Sequence, residues 1–410
     1  VSAVATSNLA ALELYYRAIA SRDSIGIYGP DTLTAALAAQ AVAIDPKFAQ
    51  AWALLTEARS WLLHQGITFD TLPAYHAYER TGALAPGSLE ARLAAGYYLY
   101  FVRADYPGAL AQFEAGATLS PRSGSILIAI GLVQRRMGRW DDALATFQRA
   151  KSANPHDASV AAVLAETYGL MRRYQEGDSE FARALALAPL GSVSFQRFQL
   201  LLDGVGDSAR ARDVASAAVQ QMSPETAARL RAALAQVRRD YPTAIAQLES
   251  VPRSAFLEAV PPRDLSLALL WRCAGDRGRS QALADSTIVE ADRALARWPS
   301  ADARSSAGIR AMIEGYRAVA LALAGDSAGA VRQAAQAQRD LPPTQDHLTG
   351  IVLQRWIAVA YVYAGRPAEA IATVHRLMSE PATLGLGELR LDPIWDPIRH
   401  NPEFQALTAQ

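Results

Sequence analysis

Hydrophobic residues recur along most of the chain at spacings of three and four, which is the pattern of helices that bury one face. Ala143, Phe147 and Ala150 show it clearly, being four and three positions apart. The helical stretches end repeatedly in an aliphatic residue followed shortly by proline, as in "AVAIDP" and "ATLSP". Because proline cannot continue a helix, the pattern predicts a succession of short helices separated by turns.

These helix ends return at a nearly constant interval. Successive prolines of the phrase are 40, 35, 34, 34 and 35 residues apart, and they are Pro46, Pro86, Pro121, Pro155, Pro189 and Pro224. A second phrase, exemplified by "GRWDDAL" and "RRYQEGD", lies midway through several of the intervals. A fixed period in the range of roughly 20–50 residues is the signature of a repeat architecture.

The repeat resembles the tetratricopeptide repeat, a unit of about 34 residues that forms two antiparallel helices. In residues 124–157 the signature positions are held by Ile130, Gly131, Trp140, Ala143, Phe147, Ala150 and Pro155. In the next unit they are held by Leu164, Ala165, Tyr168, Tyr174, Phe181, Ala184 and Pro189, with Gly177 where alanine is usual. The resemblance implies an all-α fold, a right-handed α-solenoid or superhelix of about ten antiparallel helix pairs.

Small residues are predicted to lie where the two helices of a unit cross. Gly131, Ala143 and Ala150 let the helix axes approach, and Phe147 fills the space beside them. A bulky side chain at Ala143 or Ala150 is therefore expected to overpack the crossing, at a cost of roughly 1–3 kcal/mol.

The helix-pair register divides the chain into four predicted segments. Residues 1–252 form an N-terminal array of about seven pairs, and residues 253–263 form a linker or hinge. Residues 264–388 form a more degenerate C-terminal array, and residues 389–410 form a capping tail. Insertions are predicted in the first pair, "RDSIGIYGPD", and in the second, "QGITFD".

Composition excludes several classes of function. Forty basic and forty acidic residues balance, so there is no electrostatic footprint for nucleic acid or an anionic membrane. The single cysteine, Cys273, excludes an internal disulfide and a cysteine metal cluster. No apolar run reaches the roughly eighteen residues that span a bilayer. The chain begins at Val1 without a basic leader, so we expect a processed form or a piece of a longer protein.

The sequence shows no pattern of a catalytic, cofactor-binding or metal-binding site. The carboxylate pair Asp141 and Asp142 lies at a predicted helix start, where acids suit the helix dipole. The six histidines are scattered, and none lies three or four residues from another, so no zinc-binding helix is predicted. Phosphate-binding loops and nucleophile elbows are also absent. We therefore expect no enzyme activity, no cofactor and no metal, with any catalytic domain outside this chain.

The remaining functional surface is the concave face lined by the first helices of the pairs, which in the tetratricopeptide family binds peptides. Candidate partner-binding residues on this face are Glu57, Trp61, Tyr97, Tyr100, Phe101, Leu132, Arg135, Glu166 and Arg355. The run "YYLYFVR", residues 97–103, is the most aromatic helix surface and a candidate pocket for a partner's side chains. The alternative is that several of these rings pack between neighbouring repeats.

The family's clamp for C-terminal carboxylates requires lysine, asparagine and arginine at set first-helix positions. The matching positions in the two clearest units hold Ser125, Ile128, Leu132, Ser159, Ala162 and Glu166. This sequence departs from the clamp, so a chaperone-type C-terminal ligand is not expected.

Three phrases, "ALELYYRAIA", "LAAQAVAIDPKFAQAWALL" and "LRLDPIWDPIRHNPEFQAL", extend the resemblance to one bacterial arrangement. They are similar to the tetratricopeptide region that follows serine/threonine kinase domains, adenylate cyclase domains or winged-helix regulators. The resemblance implies a non-enzymatic scaffold that binds a protein or peptide, as a sensing module of a larger signalling protein. The alternatives are a small-ligand sensor that controls a fused domain, and an enzyme with an unrecognised site. Self-association is left open, as is the compartment, which is cytoplasmic or, downstream of a membrane span, extracytoplasmic.

The closing stretch "LRLDPIWDPIRHNPEF" gathers several acids and His400, which raises the question of a metal or acid–base site. Asp392, Asp396 and Asn401 each precede a proline, an arrangement typical of helix N-caps. The apolar anchors of the stretch are Ile394, Trp395, Ile398 and Phe404. We interpret it as a tail that covers the last helix pair, with His400 a single imidazole that binds no metal.

Overall fold

The computed structural model describes residues 6–25, 32–68, 70–253, 261–296 and 304–409. Its regular structure is helical, and no strand occurs among the described residues. The helices follow one another as ten antiparallel pairs, and a C-terminal part of shorter helices completes the chain. None of the described helices is both long and apolar enough to cross a membrane. The predicted all-α array of helix pairs is confirmed.

Two compact units divide the chain, one of residues 1–164 with 300–306, the other of residues 165–299 with 307–410. The helices of the first unit are α1 (Leu9–Ile25), α2 (Thr32–Ile44), α3 (Ala49–His64), α4 (Leu72–Leu84), α5 (Leu89–Tyr97), α6 (Tyr106–Leu119), α7 (Gly124–Arg136) and α8 (Trp140–Ala153). A π-helical turn, Tyr98–Val102, continues α5. The boundary between the units falls within α9 (Ala158–Leu170).

The second unit contains the remaining pairs and the C-terminal part. Its paired helices are α10 (Tyr174–Leu187), α11 (Gly191–Gln199), α12 (Ser208–Ala218), α13 (Pro224–Val237), α14 (Tyr241–Glu249), α15 (Arg263–Cys273), α16 (Arg277–Ala296), α17 (Arg304–Ala324), α18 (Ser327–Asp340), α19 (Thr349–Tyr363) and α20 (Pro367–Ser379). A π-helical segment, Leu200–Val205, continues α11, and a short 3₁₀ turn, Val219–Gln221, continues α12. The C-terminal part contains α21 (Leu386–Leu391), a 3₁₀ segment (Pro393–Ile398) and α22 (Pro402–Thr408).

The turn inside each of five successive pairs contains one residue of positive φ. These residues are Ala104, Gly138, Arg172, Gly206 and Arg239, with φ between 47° and 84°. A left-handed residue after a helix lets the following amides bond back to the helix while the chain reverses. The repeat is therefore visible in the backbone conformation of the turns as well as in the side chains. Three of these five turns adopt the left-handed conformation at a residue other than glycine.

The crossing of α7 and α8 has the predicted composition. A Cβ on Gly131 would lie 2.3 Å from the ring of Phe147, so the ring occupies space that only glycine leaves free. Ala143, Phe147 and Ala150 are completely buried. The predicted close packing at this crossing is confirmed.

The predicted segment boundaries meet the described residues only in part. The linker at residues 253–263 falls largely outside them, as does most of the insertion "RDSIGIYGPD". The insertion "QGITFD" connects α3 and α4, and the structure describes it apart from residue 69. The division into arrays of residues 1–252 and 264–388 stays a prediction.

The N-caps of the C-terminal part follow the prediction at two of three positions. Asp392 accepts a hydrogen bond from the amide of Ile394 at 2.9 Å, and Asn401 accepts one from the amide of Glu403 at 2.9 Å. The prediction that Asp396 caps a helix is wrong. Asp396 lies inside the 3₁₀ segment, and its carboxylate accepts hydrogen bonds from arginine side chains instead.

Candidate partner-binding surfaces

Three successive first helices of the first unit, α3, α5 and α7, bring seven of the predicted residues onto one part of the fold. These residues are Glu57, Trp61, Tyr97, Tyr100, Phe101, Leu132 and Arg135. The structure adds His64 and Arg136 from the same helices. The name aromatic surface is used below for Glu57, Trp61, His64, Tyr97, Phe101, Leu132 and Arg136.

Phe101 is the centre of the aromatic surface. The ring of Trp61 meets it edge-on with the centroids 5.2 Å apart, and the ring of Tyr97 stacks on it at 5.9 Å. Phe101 and Tyr100 are only 6% and 7% exposed and belong to the core of the first unit. These rings therefore form two layers. Trp61 and Tyr97 are partly exposed, while Phe101 and Tyr100 are buried and support them from below.

Arg136 and His64 join the aromatic surface through a buried polar contact. The Nε of Arg136 donates to the hydroxyl of Tyr100 at 3.2 Å, and another guanidinium nitrogen lies 3.2 Å from Nε2 of His64. Neither residue was predicted from the sequence to belong to a partner-binding surface. The signal that indicates Arg136 is a pair of arginines ending the largely apolar α7, since a buried guanidinium requires polar partners.

Glu57 is the acidic residue of the aromatic surface. Its carboxylate lies 3.6 Å from the guanidinium of Arg22 on α1. Burial, and after it the negative charge of Glu57, raises the pKa of Tyr97 well above its ordinary value. The phenol of Tyr97 therefore keeps its proton and remains a hydrogen-bond donor.

Arg135 lies in the interior beside this surface. It is 3% exposed, and its guanidinium carbon lies 6.0 Å from the ring centre of Phe147. A guanidinium at this distance from an aromatic face gains a cation–π attraction. The structure thus places Arg135 in the packing of α7 against α8.

The two remaining predicted residues belong to the second unit. Glu166 lies on α9 and is partly buried. Arg355 lies on α19, where its side chain is 17% exposed and bonds to both carboxylate oxygens of Glu388, at 2.9 and 3.0 Å. The partner of Arg355 in the structure is therefore the chain's own C-terminal part.

That C-terminal part crosses much of the second unit. The name C-terminal segment is used below for residues 380–399. At its start, the guanidinium of Arg172 donates to the carbonyl oxygens of Leu377, Glu380 and Leu384. The amide of Ala382 donates to the carbonyl oxygen of Leu170 at 2.9 Å. The end of the last helix pair and the start of the C-terminal segment are thereby fixed to the turn between α9 and α10.

A pair of glycines brings the C-terminal segment against the π-helical segment Leu200–Val205. A Cβ on Gly387 would lie 2.3 Å from the carbonyl oxygen of Leu202, and one on Gly385 would lie 2.4 Å from that of Asp203. Distances this short exclude any side chain, so the two backbones touch because both positions are glycine.

Four ionisable groups meet where the C-terminal segment passes α19. Arg355 binds Glu388, and the indole N–H of Trp395 donates to Glu388 at 3.1 Å. Burial, and then the charge of Glu388, raises the pKa of Asp392 to about 6. The same two causes raise the pKa of Asp203 well above its ordinary value. Three carboxyl groups around one guanidinium cannot all ionise without a penalty.

The far end of the C-terminal segment is held by α13 and the turn that follows it. The side-chain amide of Gln236 donates to Asp392 at 2.8 Å, and the guanidinium of Arg239 binds Asp396 at 3.0 Å. Arg399 then donates to three carbonyl oxygens within the segment itself. The interpretation of the tail as a lid on the last pair alone is therefore too narrow.

Among the described residues no group of three histidine, cysteine, aspartate or glutamate side chains could hold a metal ion. Cys273 is a free thiol, and burial raises its pKa to about 12. A thiol in that state is a poor nucleophile at neutral pH.

Comparison with known proteins identifies one repeat directly. Residues 127–157 match the family model of the tetratricopeptide repeat. No curated protein matches the chain. Residues 127–157 are therefore a tetratricopeptide repeat, and the helix pairs on both sides continue its two-helix architecture.

Solved structures similar to this chain are also tetratricopeptide proteins. One from Parabacteroides merdae is 16% identical and covers 66% of this chain and 98% of its own, with a TM-score of 0.47. A thermophilic one from Thermus thermophilus is 21% identical and covers 47% of this chain and 100% of its own, with a TM-score of 0.39. YrrB, described as having an unusual peptide-binding site, is 16% identical and covers 45% of this chain and 92% of its own, with a TM-score of 0.31.

Proposed function

We propose that this protein is a non-enzymatic scaffold that binds a protein or peptide partner on the aromatic surface. The observation that carries the proposal is the support beneath Trp61 and Tyr97. Both rings rest on the buried ring of Phe101, so they can offer contact area without losing much conformational freedom when a partner binds. Rigid aromatic residues of this kind dominate the binding energy of many interfaces.

The chemistry of the aromatic surface indicates the kind of segment that fits it. Trp61, Tyr97 and Leu132 offer apolar contact, so the partner presents an apolar anchor side chain. Glu57 already faces Arg22, which makes a strongly charged partner less favourable than a mainly apolar one.

A peptide library displayed on phage tests this proposal. Peptides selected on the intact protein are expected to lose at least about tenfold in affinity for a Trp61→Ala variant, since removal of an aromatic anchor costs roughly 2 kcal/mol or more. Tyr75→Ala is the matched control, because Tyr75 is 42% exposed and lies on the second helix α4. Selected peptides that bind the Trp61→Ala variant as tightly as the intact protein would sink the proposal.

We further propose that the scaffold is a sensing module of a larger bacterial signalling protein. The support is the resemblance of the closing phrase "LRLDPIWDPIRHNPEF" to the tetratricopeptide region of such proteins. A gene that encodes this chain without a kinase, cyclase or DNA-binding domain, and without such a gene beside it, would contradict this context.

A thermal-shift screen with metabolites tests the alternative of a small-ligand sensor, since a bound ligand raises the apparent stability.

A further inference from the structure

We propose that the second unit contains a peptide-binding groove, that the C-terminal segment is its built-in ligand, and that the groove accepts the same segment supplied in trans. The proposal is independent of the aromatic surface, which lies in the first unit. The ligand class is a polypeptide with two closely spaced glycines, followed by a glutamate, an aspartate and a tryptophan.

The first support is the kind of contact that holds the C-terminal segment. Arg172 donates to two backbone carbonyl groups of the segment, those of Glu380 and Leu384. Gln236 and Arg239 bind its aspartates, and Arg355 binds its glutamate. These contacts come from three different helix pairs, α9–α10, α13–α14 and α19–α20. Side-chain donors that meet backbone carbonyls and carboxylates along an extended path are how a groove recognises a peptide.

The second support is backbone strain at two of the residues that bind the C-terminal segment. Arg172 and Arg239 have φ of 59° and 60°, in the turn position that holds Gly138 and Gly206 in two of the other pairs. A residue with a Cβ is strained in this conformation, and both strained arginines bind the C-terminal segment. At these two positions the arginine side chain has a use that glycine cannot supply.

The third support is the shape of the contact at the glycines. Gly206 lies between the two arginine turns, and a Cβ there would lie 3.3 Å from the Cα of Gly387. Gly387 and Gly385 in turn leave no room for a Cβ against the π-helical segment Leu200–Val205. Groove and segment are therefore matched in backbone shape, and the glycine spacing fixes the register of the bound peptide.

The connection between the groove and its ligand allows separation. Ser379 ends α20, and both Ser379 and Glu380 are exposed. A site for a specific protease inserted between them can be cut in the folded full-length chain, after which the C-terminal residues are held by non-covalent contacts alone.

The test follows exchange after that cut. The cleaved protein is expected to keep residues 380–410 on gel filtration and to keep its helical circular dichroism. Excess fluorescein-labelled peptide of residues 380–410 is expected to replace the fragment over time, which raises the anisotropy of the label. A Gly387→Ala peptide is expected to be excluded, while an Arg390→Ala peptide serves as the matched control, since Arg390 is exposed.

A variant of the groove completes the test. Arg172→Gly removes the two hydrogen bonds to the peptide, at Glu380 and Leu384, while keeping the left-handed turn, so labelled peptide is expected to dissociate at least about tenfold faster. Ala104→Gly makes the same backbone change in a turn of the first unit and is expected to leave the dissociation rate unchanged. No exchange with excess peptide, unfolding of the chain on cleavage, or equal binding of the Gly387→Ala peptide would each overturn the proposal.

Discussion

At the scale of single residues, the chain combines glycine and non-glycine residues at one conformational position. Gly138 and Gly206 adopt the left-handed turn without strain, whereas Ala104 adopts it with φ of 47°. Arg172 and Arg239 adopt it as well, and their side chains bind the C-terminal segment. Ala104 packs against the core of the first unit but has no side-chain donor that could bind another segment, so it is the turn residue where glycine should be favoured.

Ala104→Gly is expected to stabilise the protein by about 0.5–1 kcal/mol, because the gain from relieved strain exceeds the added freedom of the unfolded chain. Gly138→Ala is the matched reverse change, since Gly138 has φ of 73°, and it is expected to destabilise by about 1 kcal/mol or more. Urea unfolding followed by circular dichroism measures both. Equal midpoints for Ala104→Gly and the unmodified protein would contradict the strain argument.

The pKa of Asp392 predicts a pH dependence of stability. Its folded pKa of about 6 lies above the ordinary aspartate value of 3.8, so the folded state prefers the protonated acid. The resulting stabilisation is complete below about pH 4 and is lost as the pH rises through about 6. Glu388, Asp203, Arg355 and Gln236 face this group, and Asp203 shifts in the same direction.

The loss of stability between pH 5 and pH 8 is expected to be smaller for Asp392→Asn by roughly 1–1.5 kcal/mol. Asparagine keeps both the N-cap and a carbonyl acceptor for Gln236, so the change isolates the charge. Asp276→Asn is a control, because it alters an exposed cap at the start of α16. An unchanged pH profile in Asp392→Asn would refute a charge effect at this position.

At the scale of helices, the crossing of α7 and α8 was accessible from the sequence because it depends on residues close together in the chain. Gly131, Ala143, Phe147 and Ala150 lie within one repeat, and their spacing alone determines which of them meet. The caps at Asp392 and Asn401 were accessible for the same reason. Asp396 was not, because its arginine partner Arg239 lies 157 residues away in the chain.

Gly131→Ala tests the crossing. The added Cβ meets the ring of Phe147 at 2.3 Å, and we expect a destabilisation of roughly 1–3 kcal/mol. Gly82→Ala is the control, since a Cβ there meets no atom within 4 Å and Gly82 lies inside α4. That change is expected to stabilise by about 0.5–1 kcal/mol through helix propensity. Thermal unfolding that ranks the two variants in the opposite order would contradict this account of the crossing.

Local sequence patterns could not predict which residues of the aromatic surface are buried or which of them meet. Spacing placed Trp61, Tyr97 and Phe101 on first helices, but it could not decide which ring is buried. The π-helical turn that begins at Tyr98 inserts an extra residue and changes the direction of the following side chains. His64 and Arg136 meet across 72 residues of sequence, a distance over which no periodic pattern indicates contact.

At the scale of the whole molecule, each compact unit has its own core, and the second unit includes the C-terminal segment in that core. Leu384, Leu389, Trp395 and Phe404 are completely buried. These side chains explain why the sequence already indicated a covering tail. The reach of the segment to Arg172 and Arg239 was not predictable, because it depends on how the pairs of the second unit stack.

Deletion of residues 389–410 is expected to destabilise the second unit by several kcal/mol, since it removes the buried side chains of Leu389, Ile394, Trp395, Ile398 and Phe404. Gel filtration should show aggregation, and thermal unfolding should begin at a lower temperature. Deletion of residues 1–5, which precede α1, is the control. A soluble, monomeric truncation with unchanged melting would contradict this role of the tail.

The bonds made by Arg172 also have a consequence for the order in which the protein is synthesised. Its acceptors follow it by 205, 208 and 212 residues, so they leave the ribosome about 10–40 s later at ordinary elongation rates of about 5–20 residues per second. During that interval helices α9 to α19 can form their pairs, but the groove of the second unit stays uncovered because the C-terminal segment is still missing. Completion of the second unit therefore waits for the C-terminal segment, and the nascent array is exposed to chaperones and to neighbouring chains until that segment arrives.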